Sequence, residues 1–156
     1  MALLCVPCGA SLAQNAIPDE VRIEVGEFGV GNIARSGDWC GIRLKLTDSA
    51  AKQREVLVGI TIPDSDADLP VYSRLLTLNP GVSQDAWFYG RLPFPFNPGE
   101  GLLVQVHEPR SDDSSAVGAR PGRLLARKIV TSTGRVAEAN RGLFADIGTN
   151  EMGLRQ

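Results

Sequence analysis

Short runs of alternating apolar and polar residues dominate the chain from Val21 onward. In the first run, Val21, Ile23 and Val25 alternate with charged residues. A period of two places every second side chain on one face of an extended strand, so each run predicts a β-strand with one face on a core and one in water. The predicted strands are Val21–Val25, Ile42–Thr47, Val56–Ile62, Tyr72–Leu78, Trp87–Leu92, Leu102–Val106 and Leu124–Thr131.

Turn-forming residues separate these runs. Asn79-Pro80-Gly81 and Asn97-Pro98-Gly99 combine a proline, which fixes φ, with a glycine, which adopts positive φ without steric cost. Helical periodicity is nearly absent. The sequence therefore predicts an all-β fold, an antiparallel immunoglobulin-like β-sandwich of about seven strands over residues 20–131.

The C-terminal part of the chain has a different pattern. Glu108–Gly122 is mostly polar and predicts a long exposed loop. Beyond it, Arg135–Arg141 predicts a short helix and Leu143–Ile147 a short strand. We interpret residues 132–156 as a short irregular extension, or as the start of a second domain that this chain lacks.

The N-terminus has features of a secretory leader. Residues 1–18 carry no charged side chain, Ala2–Cys8 is mostly apolar, and Ser11-Leu12-Ala13 offers small residues to a signal peptidase. Residues 1–13 are thus a candidate signal peptide, which predicts export to the periplasm, cell envelope or extracellular space. No Lys or Arg precedes the apolar stretch, so a cytoplasmic N-terminus is the alternative.

Composition and net charge limit the kinds of partner that can be expected. The chain has 156 residues, 43% of them apolar, which is enough for a sizeable core. Its 16 basic and 18 acidic residues give a net charge of -2, which argues against binding to a phosphate backbone, so no nucleic-acid partner is expected. No apolar stretch approaches the roughly 20 residues of a membrane-spanning helix, so no transmembrane segment is predicted.

Cysteine and histidine offer no catalytic constellation. Cys5 and Cys8 form a C-x-x-C inside the candidate leader, without a second pair or a nearby histidine to complete a zinc site. Cys40 is predicted to be a buried strand residue. His107 is the only histidine, no G-x-S-x-G motif precedes it, and its strand position predicts an outward side chain. We therefore predict no catalytic residue and no enzyme activity.

Two motifs resemble ligand-binding loops. Gly26–Gly31 follows a strand, but it lacks the glycine order and the helix that a dinucleotide-binding turn requires, so no cofactor is predicted. Asp64, Asp66 and Asp68 are weak candidates for binding Ca²⁺, because their alternation matches the start of an EF-hand loop. The later glycine and glutamate positions of such a loop hold leucines, so a solvated acidic turn is the preferred interpretation.

The aromatic residues form the main candidate binding surface. Trp87 and Tyr89 share one face of their predicted strand, and Phe94 and Phe96 follow in a proline-rich segment. Rings that face outward can stack on a sugar or cover a partner protein. For Trp87 and Tyr89 the favoured alternative is that both face inward and fill the core.

A resemblance to a known family rests on a G-x-W turn, Gly37-Asp38-Trp39, and on the runs Gly41–Thr47, Val56–Pro63 and Tyr72–Leu78. These resemble the N-terminal immunoglobulin-like β-sandwich region of large envelope proteins of planctomycete-type bacteria. In those proteins a segment similar to Asp146–Leu154 leads into further domains and membrane helices. The resemblance implies an envelope location and a truncated or split gene product, and it implies no catalytic residues.

Together these features predict a non-catalytic, exported β-sandwich interaction module of the bacterial cell envelope with a protein partner. Its expected contact surfaces are the loops Glu27–Asp38, Pro63–Pro70 and Pro93–Gly101. The alternatives are a carbohydrate-binding module that uses Trp87 and Tyr89, part of a truncated larger membrane protein, and a hydrolase whose carboxylates meet only on folding. Two coplanar rings exposed on one sheet face would favour the carbohydrate hypothesis.

Overall fold

Extended strands make up most of the chain that the structure describes, as the alternation predicts. The computed structural model describes residues 19–64, 66, 68–97, 99–110, 119–131 and 135–137. Within these ranges there is no helix, and the predicted all-β class is confirmed. The strands are β1 (Val21–Phe28), β2 (Ile33–Arg35), β3 (Trp39–Asp48), β4 (Arg54–Thr61), β5 (Val71–Leu78), β6 (Ser83–Arg91), β7 (Gly101–Arg110), β8 (Arg120–Thr131) and β9 (Arg135–Ala137).

Two antiparallel sheets form the two layers of the fold. One has the strand order β1-β3-β6 and the other has the order β5-β4-β7-β8. Both sheets contribute side chains to one hydrophobic core, which makes the arrangement a sandwich. That the sandwich is of the immunoglobulin type stays a prediction.

The period-two pattern determines which side chains enter this core. β3 buries Ile42, Leu44 and Leu46, and β4 buries Val58 and Ile60, each with 0% exposure. Burial of an aliphatic side chain of this size contributes about 1.5–3 kcal/mol before conformational entropy is counted. The intervening residues of each strand lie on the outer faces of the sandwich.

The predicted loop Glu108–Gly122 is wrong at both ends. β7 continues to Arg110 and β8 begins at Arg120, with Pro109 opposite Pro121 and Arg110 opposite Arg120. The backbone ladder extends here past the last alternating apolar residues, because hydrogen bonds between two strands do not require an apolar face. Residues 111–118 lie outside the described ranges.

The predicted helix Arg135–Arg141 is also wrong in its described part. Arg135–Ala137 forms β9, which pairs in parallel with β2, and β2 lies within the predicted loop Glu27–Asp38. A single helical turn is unstable in isolation, whereas pairing with β2 supplies hydrogen bonds at once. The candidate signal peptide, Cys5, Cys8 and the predicted strand Leu143–Ile147 lie outside the described residues.

Five charged side chains join strands of both sheets at one end of the sandwich. Arg54 donates from Nε and Nη2 to the two Asp48 carboxylate oxygens, each at 2.8 Å. Its Nη1 lies 3.0 Å from Glu20 Oε2. Arg123 bridges Glu20, at 2.5 Å, and Glu108, at 2.6 Å. This ion-pair cluster links the start of β1 with β3, β4, β7 and β8.

Among the described residues, no helix has the length and apolar character needed to cross a membrane.

Candidate functional site

The outer face of the three-stranded sheet carries most of the exposed aromatic surface of the sandwich. We name the outward side chains of paired strands β3 and β6 the aromatic ladder. It faces outward because the alternate residues of both strands, Ile42 and Phe88 among them, are buried in the core. From one end to the other its cross-strand pairs are Trp39 with Arg91, Gly41 with Tyr89, Arg43 with Trp87, Lys45 with Asp85, and Thr47 with Ser83.

Trp87 and Tyr89 are stacked neighbours on this ladder. Their ring centroids are 6.3 Å apart and the ring planes differ by only 16°. Tyr89 is 63% exposed and Trp87 is partly buried, whereas Phe88 between them is 4% exposed. The prediction that Trp87 and Tyr89 share a face is therefore confirmed, and the favoured interpretation that both fill the core is wrong. Phe88 takes the core position instead, because only one face of β6 meets the other sheet.

Gly41 makes room for both rings. A Cβ atom at this position would lie 3.2 Å from Tyr89 Cε1 and 3.3 Å from Trp87 Cζ3. The two ring edges thus occupy the space that a side chain on β3 would otherwise fill. A larger residue at Gly41 would push both rings away from the sheet.

Arg43 is held against the aromatic pair. Its guanidinium carbon lies 5.8 Å from the Trp87 ring centroid, within the range of a cation–π interaction. On the other side it crosses β1 at Gly26, where a Cβ atom would lie 2.9 Å from Arg43 Nε. The β1 ladder shifts register between Val25 and Glu27, so Gly26 is the extra residue of a bulge. Bulge and glycine together let the arginine lie along the sheet.

Further rings extend the aromatic surface at the Trp39 end. Trp39 is 69% exposed and makes an edge-to-face contact with Tyr72 of β5, with centroids 6.1 Å apart. Phe94 is 61% exposed. Tyr72, Arg91 and Phe94 line a cleft of about 420 Å³ together with Asp64 and Asp66.

Phe96 was predicted to lie in the binding surface, but the structure places it in the core. It is 4% exposed and stacks on Phe28, with centroids 6.0 Å apart and planes 6° apart. Its backbone amide donates to Ser36 Oγ at 2.8 Å, and Ser36 Oγ donates in turn to the Pro93 carbonyl. These bonds fold the proline-rich segment back onto the sandwich, so that Phe94 points out and Phe96 points in.

The three aspartates considered for Ca²⁺ lie in an exposed turn. Asp64 Oδ1 accepts hydrogen bonds from the backbone amides of Asp66, at 2.9 Å, and Asp68, at 3.0 Å. One carboxylate is therefore used by the turn itself. Within the described ranges, no three His, Cys, Asp or Glu side chains are grouped so that they could hold a metal ion.

The remaining sequence candidates have structural explanations. Gly29 has a φ of 83°, and a Cβ there would collide with the Ile33 carbonyl, so this glycine is needed for a tight turn. Cys40 is 3% exposed, and burial raises the pKa of its thiol to about 11. His107 Nδ1 lies 3.2 Å from the Gly122 carbonyl oxygen. In the part of the chain that the structure describes, no hydrogen bond joins His107 to a hydroxyl or a carboxylate.

Sequence reasoning missed the role of Arg43, Gly41 and Trp39 in this surface. Gly41 and Arg43 are ordinary outward residues of an alternating strand, and nothing in the sequence pattern marks them. Trp39 alone carries a signal, the G-x-W turn Gly37-Asp38-Trp39.

Comparisons with known proteins add little to this geometry. Neither the comparison with protein families nor the comparison with curated proteins finds a match. The resemblance to planctomycete-type envelope proteins stays a prediction.

Two solved structures are similar at low TM-score. An alkylpurine DNA glycosylase of Pseudomonas fluorescens, bound to DNA containing an abasic site analogue, has a TM-score of 0.38 and 15% identity over 72% of this chain and 30% of that one. A β-glucosidase of Listeria innocua in complex with glucose has a TM-score of 0.33 and 12% identity over 76% of this chain and 16% of that one. The chain thus spans less than a third of either protein, and neither likeness bears on function.

Proposed function

We propose that this chain is a non-catalytic, exported binding module of the bacterial cell envelope, and that it binds carbohydrate through the aromatic ladder. The observation that supports this is the near-parallel pair Trp87 and Tyr89 on an exposed sheet face. Large exposed aromatic surface on a soluble domain marks a binding site, because leaving it in water is unfavourable. The C–H groups on one face of a pyranose ring pack against such rings.

The ladder is a rigid site. Its side chains stand on two strands that pair over their whole length, from Trp39 opposite Arg91 to Thr47 opposite Ser83. Gly41 and Gly26 provide the space in which the rings and Arg43 lie. A site on paired strands loses little conformational entropy when a ligand binds, which favours recognition of an extended, repetitive polymer.

Affinity electrophoresis through gels that contain neutral or acidic polysaccharides tests the proposal. Alanine in place of either ring removes one stacking contact, so Trp87→Ala and Tyr89→Ala should each weaken retardation about tenfold. Val82→Ala, which removes an exposed apolar side chain outside the ladder, is the matched control and should migrate like the wild type. Unretarded wild-type protein in every gel, or ring variants that are retarded as strongly as the wild type, would contradict the proposal.

Export and a protein partner are further parts of the proposed role. N-terminal sequencing of the protein from its native host tests the candidate signal peptide, because an intact Met1 on cytosolic material contradicts cleavage. For a protein partner, the exposed apolar side chains of the four-stranded sheet offer support: Val71, Leu75 and Ile129 are 59%, 44% and 63% exposed.

A further inference from the structure

Cationic side chains flank the rings of the aromatic ladder. Arg43 lies opposite Trp87, and Arg91 follows Tyr89 by two residues on the same strand. Successive outward residues of a strand are about 6.8 Å apart, so the two arginines lie at opposite ends of the aromatic pair. Lys45 adds a third positive charge between Asp85 of β6 and Glu24 of β1, and Asp64 and Asp66 line the cleft that Arg91 also lines.

Neighbouring groups orient the two arginine side chains without occupying every hydrogen-bond donor of either guanidinium. Arg43 Nη2 lies 3.9 Å from Glu27 Oε2, at the outer limit of an ion pair, and both side chains are partly exposed. Such pairs contribute little, so an incoming anion can replace Glu27 at small cost. Arg91 donates from Nε to the Gly37 carbonyl at 3.0 Å, which orients an otherwise exposed guanidinium.

This arrangement matches one class of carbohydrate. A uronic acid presents an apolar ring face for stacking and a carboxylate at the ring edge, which a guanidinium binds with two parallel hydrogen bonds. In a uronic acid polymer the carboxylates recur with the sugar repeat, so several meet cations on either side of the rings. A neutral polysaccharide would leave these cations without a role. A nucleic acid fits less well, because the whole chain carries a net charge of -2.

We propose that the ligand of the aromatic ladder is an acidic polysaccharide, bound by stacking of its sugar rings on Trp87 and Tyr89 and by pairing of its carboxylates with Arg43 and Arg91. This inference rests on the proposed carbohydrate-binding function and adds the chemical class of the ligand. It makes the arginines, and not only the rings, determinants of specificity.

Titration calorimetry of the full chain with four probes tests the inference: polygalacturonate, alginate, a neutral β-glucan and single-stranded dT oligonucleotide. We expect at least one uronic acid polymer to bind about tenfold or more tightly than the glucan, and raised salt to weaken that binding. Arg43→Gln and Arg91→Gln should each weaken binding of the uronic acid polymer about tenfold, and each should weaken binding of the glucan by a clearly smaller factor. Lys52→Gln, which removes an exposed positive charge outside the ladder, should have no effect.

The outcomes separate the two proposals. Equal affinity for the glucan and the uronic acid polymers, or arginine variants that bind the acidic polymers like the wild type, would overturn the acidic ligand and leave carbohydrate binding intact. Binding to none of the polysaccharides, or tighter binding to dT, would overturn both. Circular dichroism of each variant checks that it is folded, and the two arginine variants are independent, so misfolding of one leaves the other as a test.

Discussion

Among the described residues, the carboxylate of Asp48 is the one fully buried charge, with 1% of the residue exposed. Besides its two bonds from Arg54, it accepts one from the Ala50 amide at 3.0 Å. Asp48→Ala removes this acceptor and leaves Arg54, 21% exposed, with Glu20 at 3.0 Å. Removal of one partner of a buried pair costs about 3–5 kcal/mol, and since Arg54 keeps a second carboxylate we expect about 3 kcal/mol.

Urea denaturation followed by tryptophan fluorescence measures this loss. The matched control is Glu24→Ala, which breaks the 2.6 Å pair with Arg22 between side chains that are 45% and 77% exposed. That variant should lie within about 0.5 kcal/mol of the wild type, because water solvates both exposed charges. If the free energy of unfolding of Asp48→Ala also lies within about 1 kcal/mol of the wild-type value, the ion-pair cluster contributes little to holding the two sheets together.

The pH dependence of the same effect follows from the pKa of Asp48. Burial opposes its ionisation, but the hydrogen bonds from Arg54 and from the Ala50 amide outweigh burial, so the pKa of this carboxyl lies below its ordinary value. A lowered folded pKa stabilises the protein above the unfolded pKa of about 3.9, and this contribution is lost as the pH falls through the folded pKa. The stability difference between the wild type and Asp48→Asn should therefore shrink below about pH 4. A difference that grows on acidification would contradict this.

Two further predictions concern single core residues. Phe96→Ala should lower the free energy of unfolding by about 3 kcal/mol, because it removes a buried ring. Phe94→Ala removes an exposed ring and should lower it by less than about 1 kcal/mol. Equal losses would mean that Phe96 is not packed on Phe28. In a Cys5→Ser, Cys8→Ser variant, Cys40 should react very slowly with Ellman's reagent at pH 8, because the thiol is buried with a pKa of about 11, and rapidly in urea. Rapid reaction of the folded protein would show that the thiol is accessible.

The seven strands of the two sheets could be predicted because apolar residues recur at alternate positions of each strand, on the face that is turned toward the core. β3 shows why: Ile42, Leu44 and Leu46 are all buried, and the residues between them are not. Strand ends were less predictable. Arg110 and Arg120 pair by backbone hydrogen bonds, which depend little on the side chain.

The sequence pattern could not show which face of the aromatic strand β6 meets the core. In Trp87-Phe88-Tyr89 both faces of β6 carry large rings, so alternation identifies two faces without saying which one meets the core. The register of β3 against β6 decides the matter, since it places Tyr89 beside Gly41 on the outside. The separation of Phe94 from Phe96 likewise depends on a distant hydroxyl, that of Ser36.

The amino-acid sequence by itself determined the class of the fold, because hydrophobic alternation is a property of neighbouring residues. Only the tertiary structure decided the site, because its contacts join residues far apart in the chain. Gly41 makes room for the rings of β6, and Gly26 makes room for Arg43. Arg54 forms ion pairs with both Asp48 and Glu20. Such contacts follow from the order in which strands pair, and that order is chosen by the free energy of the whole core.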